Sequence, residues 1–272
     1  MPVPFFHCIW LGLRRSALLA AAVVLAGCSI FQEPEAVVER PLEKIYNSAL
    51  DALLADDYPL AVTEFEQVEA QYPYSEWATR GQLLVAYANY LKNDYTLAIG
   101  AAERFIDLHP GSSDVPYVRY LIALCYYEQI PDVRRDQTQT RLAREALEGV
   151  IARYPGSVYA RDAVVKLDLV YDHLAGKEME VGRTYLQLRQ YPAALRRFAT
   201  VVRSYSETSH IPEALARMVE LNLALGVAGE ARQYAAVLGH NYPNNRWYAY
   251  AYDLLEGDGP EIPRSSWFFG LF

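Results

Sequence analysis

Residues able to do chemistry are sparse in this chain and poorly spaced for it. Cys8, Cys28 and Cys125 lie too far apart for a metal cluster and form no C-x-x-C pair. His7, His109, His173, His210 and His240 never gather at ligand spacing. Paired acids such as Asp56 and Asp57 fall in turn phrases, where a short carboxylate caps the following helix rather than moving protons. The sequence has no G-x-G-x-x-G, no G-x-x-x-x-G-K-[ST], no H-E-x-x-H and no G-x-S-x-G. Phosphate cradles, zincin sites and nucleophile elbows are therefore unsupported, and no catalytic residue, metal ligand or cofactor is expected.

Cys28 stands apart from this pattern. It closes an apolar run, SALLAAAVVLAG, that begins just after Arg14 and Arg15. The run is too short to cross about 30 Å of hydrocarbon, so residues 1–27 read as a signal peptide. Leu25-Ala26-Gly27-Cys28 resembles the lipobox of bacterial lipoproteins, in which the cysteine sulfur receives a diacylglycerol and becomes the first residue. The alternative is a plain secretory signal with a cysteine near the cut by chance. Each acyl CH₂ buried in the bilayer contributes about 0.8 kcal/mol, so several chains hold where one is marginal. Ser29 in place of an acid implies, by the same resemblance, onward sorting to the outer membrane. Residues 28–40 mix Pro, charge and small apolar side chains and read as a flexible tether. About a dozen extended residues reach about 40 Å, which places the folded body near a membrane without entering it.

The body must then be explained without a reaction. Of 272 residues 52% are hydrophobic, enough for a sizeable core, and the formal net charge of −8 is spread without a basic stripe, which argues against nucleic acid. An aromatic-proline phrase recurs after apolar runs, in EAQYPYS, IARYPGS and LGHNYPNN, with the variants IDLHPGSS and VRSYSETS. With Pro73, Pro110, Pro155, Ser206 and Pro243 as anchors, an alanine stands twelve residues before each: Ala61, Ala98, Ala143, Ala194 and Ala231. Eight before stand Phe65, Ala102, Leu147, Phe198 and Ala235, and five before stand Val68, Phe105, Val150, Val201 and Leu238. One helical face is apolar in all five copies. The small residue admits a second helix, the large one fills the groove and proline stops the helix, as in the second helix of a tetratricopeptide repeat.

An all-α solenoid of about five helix-turn-helix repeats is expected over 41–256. Polar residues around IPDVRRDQTQT enlarge the third copy, and an additional or extended helix before the fourth is expected to bend near Gly176. Tyr58, Tyr95 and Tyr191 are assigned to grooves between helices. Cys125 is read as a buried thiol on a helix. The tail 257–272 carries Trp267, Phe268, Phe269, Leu271 and Phe272, and must dock on the last helices, a partner or the membrane surface.

Taken with the lipobox and repeats, the phrases EAQYPYSEW, LAGKEMEVGRTYLQLRQYPAALRRF and YPGSVYARDA are similar to the BamD (ComL) family over essentially residues 25–255, most specifically over 174–198. That resemblance implies a non-enzymatic, lipid-anchored scaffold at the periplasmic face of the outer membrane, within the complex that assembles β-barrel proteins. Its carboxy-terminal repeats would hold a POTRA domain of BamA, with Arg197 matching the family's arginine at that contact. Its amino-terminal repeats would engage the carboxy-terminal strands of unfolded barrel proteins, with Tyr72 and Tyr74 as the transferred candidates. Other lipoproteins of the complex are implied as partners. A repeat scaffold for pilus biogenesis or for peptidoglycan enzymes is the competing expectation.

Overall fold

The computed structural model describes residues 40–257. Expected lipidation at Cys28 and the aromatic residues of the tail lie outside them. The described residues form helical hairpins and one lone terminal helix, in the order α1 (Leu42–Leu54), α2 (Tyr58–Gln71), α3 (Glu76–Leu91), α4 (Tyr95–Leu108), α5 (Val115–Glu128), α6 (Thr138–Arg153), α7 (Val158–Gln187), α8 (Tyr191–Ser204), α9 (Ile211–Ala224), α10 (Ala228–Asn241) and α11 (Arg246–Glu256). From α1 to α10 each helix packs chiefly on its neighbours in sequence, the signature of a solenoid, and α11 closes the stack against both α9 and α10.

The five anchor alanines are completely buried, and Phe65, Leu147 and Phe198 fill the space behind three of them. Where the partner helix comes closest, a side chain would not fit. A Cβ on Gly182 would stand 2.7 Å from the Phe198 ring.

Turns inside the hairpins repeat as closely as the core does. Asp56, Asn93, Arg189 and Gly226 all adopt a left-handed backbone at the same place in hairpins one, two, four and five. The following residue then donates its N–H back into the helix, Asp57 to Ala52 O and Asp94 to Asn89 O at 2.9 Å, a Schellman-type closure. Every second helix also ends alike: Tyr72, His109, Tyr154, Tyr205 and Tyr242 leave the helix at φ between −130° and −136° and donate to the carbonyl four residues back. Ser75, Ser157 and Asn245 then cap the next helix with their side chains.

Tyr58 and Tyr95 depart from their expected place. Both are half-buried, and their hydroxyls donate to the left-handed residues Asp56 and Asn93 at 2.8 Å; only Tyr191 of the three is buried. A short polar side chain in the left-handed turn offers a nearby acceptor, and this draws the ring outward.

The enlarged third copy is an ordered loop rather than a loose insertion. Gln137 is buried and donates to Asp132 O at 3.0 Å and Arg135 O at 3.1 Å, while its carbonyl accepts from Thr140 Oγ1 at 2.7 Å. The long segment after it is one uninterrupted helix of 30 residues that passes through Gly176. Glycine there serves packing: a Cβ would lie 3.2 Å from His210 Nε2 and 3.4 Å from Val133 Cγ1. The first half of α7 contributes Ala163, Val170 and Leu174 to the core of α5 and α6, and its second half contributes Ala175 and Met179 to the core of α8–α11.

Candidate functional site

The first helices of the amino-terminal hairpins carry an aromatic face that borders their cores. A groove of about 360 Å³ is lined by Tyr46 of α1, Arg80, Leu83 and Leu84 of α3, Asp114 and Tyr117 at the start of α5, and Tyr159 at the start of α7. Four helices therefore build one site. Its rings are held by one another. Tyr46 meets Trp77 edge-on at 4.6 Å between centroids, and Tyr159 packs on Tyr117 at 5.5 Å and on Tyr120 at 5.6 Å. Tyr120 donates its hydroxyl to Asp162, tying α5 to α7.

Burial pushes the Tyr117 phenol up to about 12, with neighbouring tyrosines adding to it, and burial likewise raises Tyr46 against the lowering charge of Arg80. Tyr46 and Tyr117 thus present neutral hydroxyls to the groove. Leu83, Leu84 and the rings give it an apolar wall, suited to alternate side chains of an extended peptide.

Tyr72 and Tyr74 stand at the edge of this half. Tyr72 ends α2 and is half-buried, packed against the core of α1–α3. Tyr74 is 103% exposed in the turn before Trp77. Neither lines the groove itself. Tyr46, Arg80, Tyr117 and Tyr159 were missed in the sequence, although their signal was present: aromatic and basic residues on the first helices, off the alanine register.

Arg197 lies off the core stripe of α8, as its register implied, yet it is engaged within the chain. Its Nη1 donates to Glu178 Oε2 of α7 at 3.1 Å, with side-chain exposures of 43% and 21%. The hydrogen bond to Glu178 raises its already high pKa, with a smaller contribution from Tyr185. Any acidic partner must share or displace Glu178. Behind it, Arg183 grips Glu213 with Nε–Oε1 at 2.9 Å and Nη2–Oε2 at 2.7 Å, joining α7 to α9. Arg217 pairs with Glu220 at 2.7 Å and stacks on Trp247 and Tyr250, which fastens α11.

Among the described residues no group of His, Cys, Asp and Glu could hold a metal ion, and no helix is long and apolar enough to cross a membrane. Cys125 is buried, and burial pushes its thiol up to about 12, which makes it inert as a nucleophile.

The family model described as YfiO, an outer membrane lipoprotein, matches residues 38–238. An outer membrane protein assembly factor BamD of Caulobacter vibrioides is 48% identical over 246 residues, covering 90% of this chain and 80% of that protein. The BamD of Rickettsia prowazekii is 42% identical over 241 residues, covering 89% of this chain and 96% of its own length. That of Neisseria meningitidis serogroup A is 31% identical over 252 residues, covering 89% and 92%. Solved structures that overlap loosely include the TPR2AB domain of yeast Sti1, with TM-score 0.41, 12% identity and coverage of 79% and 83%. PilW, a type IV pilus biogenesis factor, overlaps with TM-score 0.34, 13% identity and coverage of 78% and 98%.

Proposed function

This chain belongs to the YfiO family of outer-membrane lipoproteins, the family of the BamD assembly factors, and from that premise we propose that it is a non-catalytic scaffold of outer-membrane β-barrel assembly. Acyl chains on Cys28 hold it at the periplasmic face of the outer membrane. Its amino-terminal hairpins receive the carboxy-terminal strand of an unfolded barrel protein, and its carboxy-terminal hairpins hold a POTRA domain of BamA, with other lipoproteins of the complex bound alongside. The groove shared by α1, α3, α5 and α7 carries the substrate half of this reading. It is aromatic, open and built from several repeats, as recognition of an extended strand requires. Tyr74, fully exposed three residues before Trp77, is assigned to meet the strand beside the groove, while the Tyr72 carbonyl accepts from Ser75 in the same turn.

For the BamA half, Arg197 offers a guanidinium that is 43% exposed and preoriented by Glu178. A partner carboxylate would make a second charge-assisted bond to it. Losing Arg197 removes that bond and leaves Glu178 facing an acidic partner unscreened.

The deciding experiment purifies the membrane-anchored chain in mild detergent, with a photocrosslinker at Tyr74 or Tyr159. Capture of unfolded barrel proteins at either position and co-purification of BamA, weakened about tenfold or more by Arg197→Ala, are expected. Recovery of a pilus secretin or a murein hydrolase in place of both would replace the proposal with the competing scaffold role. Mass spectrometry of the same sample reads lipidation directly: an unmodified Cys28 in the mature chain would remove the anchor.

A further inference from the structure

We propose that the exposed face of α8 receives an acidic protein surface, and that Arg196 and Arg203, beside Arg197, fix the orientation of that surface. The proposal rests on the reading of Arg197 as a BamA contact and extends the contact along the helix to two residues outside that reading.

The starting observation is the composition of one helix. YPAALRRFATVVRS, the whole of α8, holds Arg196, Arg197 and Arg203 and no acid. Every other described helix that carries Lys or Arg carries Asp or Glu as well. Arg119, Arg153, Arg161 and Arg232 all share their helices with acids, whereas α8 is wholly basic on a chain of net charge −8. Arg196 and Arg203 are exposed and seven residues apart, about 10 Å along the axis, so they project from one side while Ala194, Phe198 and Val201 are buried on the other. Among the described residues the one ion pair of α8 is that of Arg197 with Glu178. Arg196 and Arg203 instead lay their Nε against their own helix, on Pro192 O at 3.4 Å and Ala199 O at 3.3 Å. Their terminal nitrogens are left for carboxylates from outside.

Charge selects the occupant. A body of net charge −8 repels an acidic surface over most of its area, and a short basic row on it is where such a surface can approach. One guanidinium attracts without giving direction. Three along one helix set a line that a matching row of acids satisfies in one orientation. No large hydrophobic side chain of α8 is exposed, so the face has nothing to insert into a bilayer, which favours a protein surface over lipid.

The test follows binding kinetics between the full lipid-anchored chain and BamA, both in mild detergent. At low salt the Arg196→Gln, Arg203→Gln double variant is expected to bind about tenfold more weakly, chiefly through slower association, and the loss shrinks to about twofold at high salt. Arg196→Lys with Arg203→Lys retains most of the affinity, because the charge stays. Melting temperature and capture of barrel proteins by a crosslinker at Tyr159 stay unchanged, which separates the basic row from the fold and from the groove. A double variant that binds like the parent, while Arg197→Ala weakens binding, would refute the row and leave the Arg197 contact in place. An equal loss at low and high salt would also refute it, since shape and not charge would then hold the partner. Weaker attachment of the double variant to phosphatidylglycerol nanodiscs, with BamA binding intact, would assign the face to lipid and overturn the proposal. BamA binding unaffected by either the double variant or Arg197→Ala would overturn the row and the Arg197 reading together.

Discussion

A few charged residues among those described join helices, and Glu213 shows what such a contact is worth. Burial alone would raise its carboxyl, but the bidentate hydrogen bond and charge of Arg183, with Arg217 behind, outweigh burial and leave its pKa below the ordinary value. A depressed carboxylate binds fewer protons in the folded chain than in the unfolded one. Its stabilisation is therefore complete above the unfolded value of about 4.3 and is lost as pH falls through the lower folded value. Glu213→Gln is expected to cost about 1–2 kcal/mol at neutral pH, a fall of about 2–8 °C in melting temperature. Melts of both proteins across the acid range should converge below the ordinary glutamate pKa. A gap that stays constant with pH would mean that shape and not charge holds the pair. Arg197 belongs to a looser class: its pair with Glu178 is partly solvated, so its loss should be felt in partner binding more than in folding.

At the scale of the element, the hairpin turn is the repeated device, and the four copies are not equally suited to it. Gly226 takes the left-handed conformation at no steric cost, Asp56 and Asn93 take it with small polar side chains, and Arg189 takes it with a long one. Arg189→Gly is expected to stabilise the chain by about 0.5 kcal/mol, the relief of strain exceeding the added freedom of the unfolded state. Gly226→Ala should destabilise it by about as much or more. Shifts of the urea midpoint in opposite directions would check both, and matching shifts would refute the assignment. This turn was invisible in the sequence because its residues share a backbone angle and no side chain. The alanine register was legible for the contrary reason: only a small residue fits where two helices cross, so Ala61, Ala98, Ala143, Ala194 and Ala231 had no substitute of similar size. Tyr58 and Tyr95 misled because their hydroxyls find an acceptor in the turn, a local bond that periodicity does not encode.

Across the whole molecule, the proposed function draws on residues that no single repeat owns. Tyr46, Arg80, Tyr117 and Tyr159 come from four helices, and Arg197 meets an acid nineteen positions earlier. Sequence order does not display such meetings, which is why the groove emerged only from the stacked structure. The same stacking separates the two proposed binding faces, one on the amino-terminal hairpins and one on the carboxy-terminal hairpins, with α7 belonging to both cores.

That shared helix makes the two faces angularly dependent on each other. Each residue of an α-helix advances the chain by about 1.5 Å and turns it by about 100°, so the 30 residues of α7 act as a phase ruler between hairpins three and four. One alanine inserted beside Val165, whose side chain is 62% exposed, would swing everything downstream by more than a quarter revolution relative to the groove. Four would bring it back to within about 40°. Barrel assembly supported by such a series should therefore oscillate with the number of residues added, whereas a merely flexible link between the halves would yield a smooth decline.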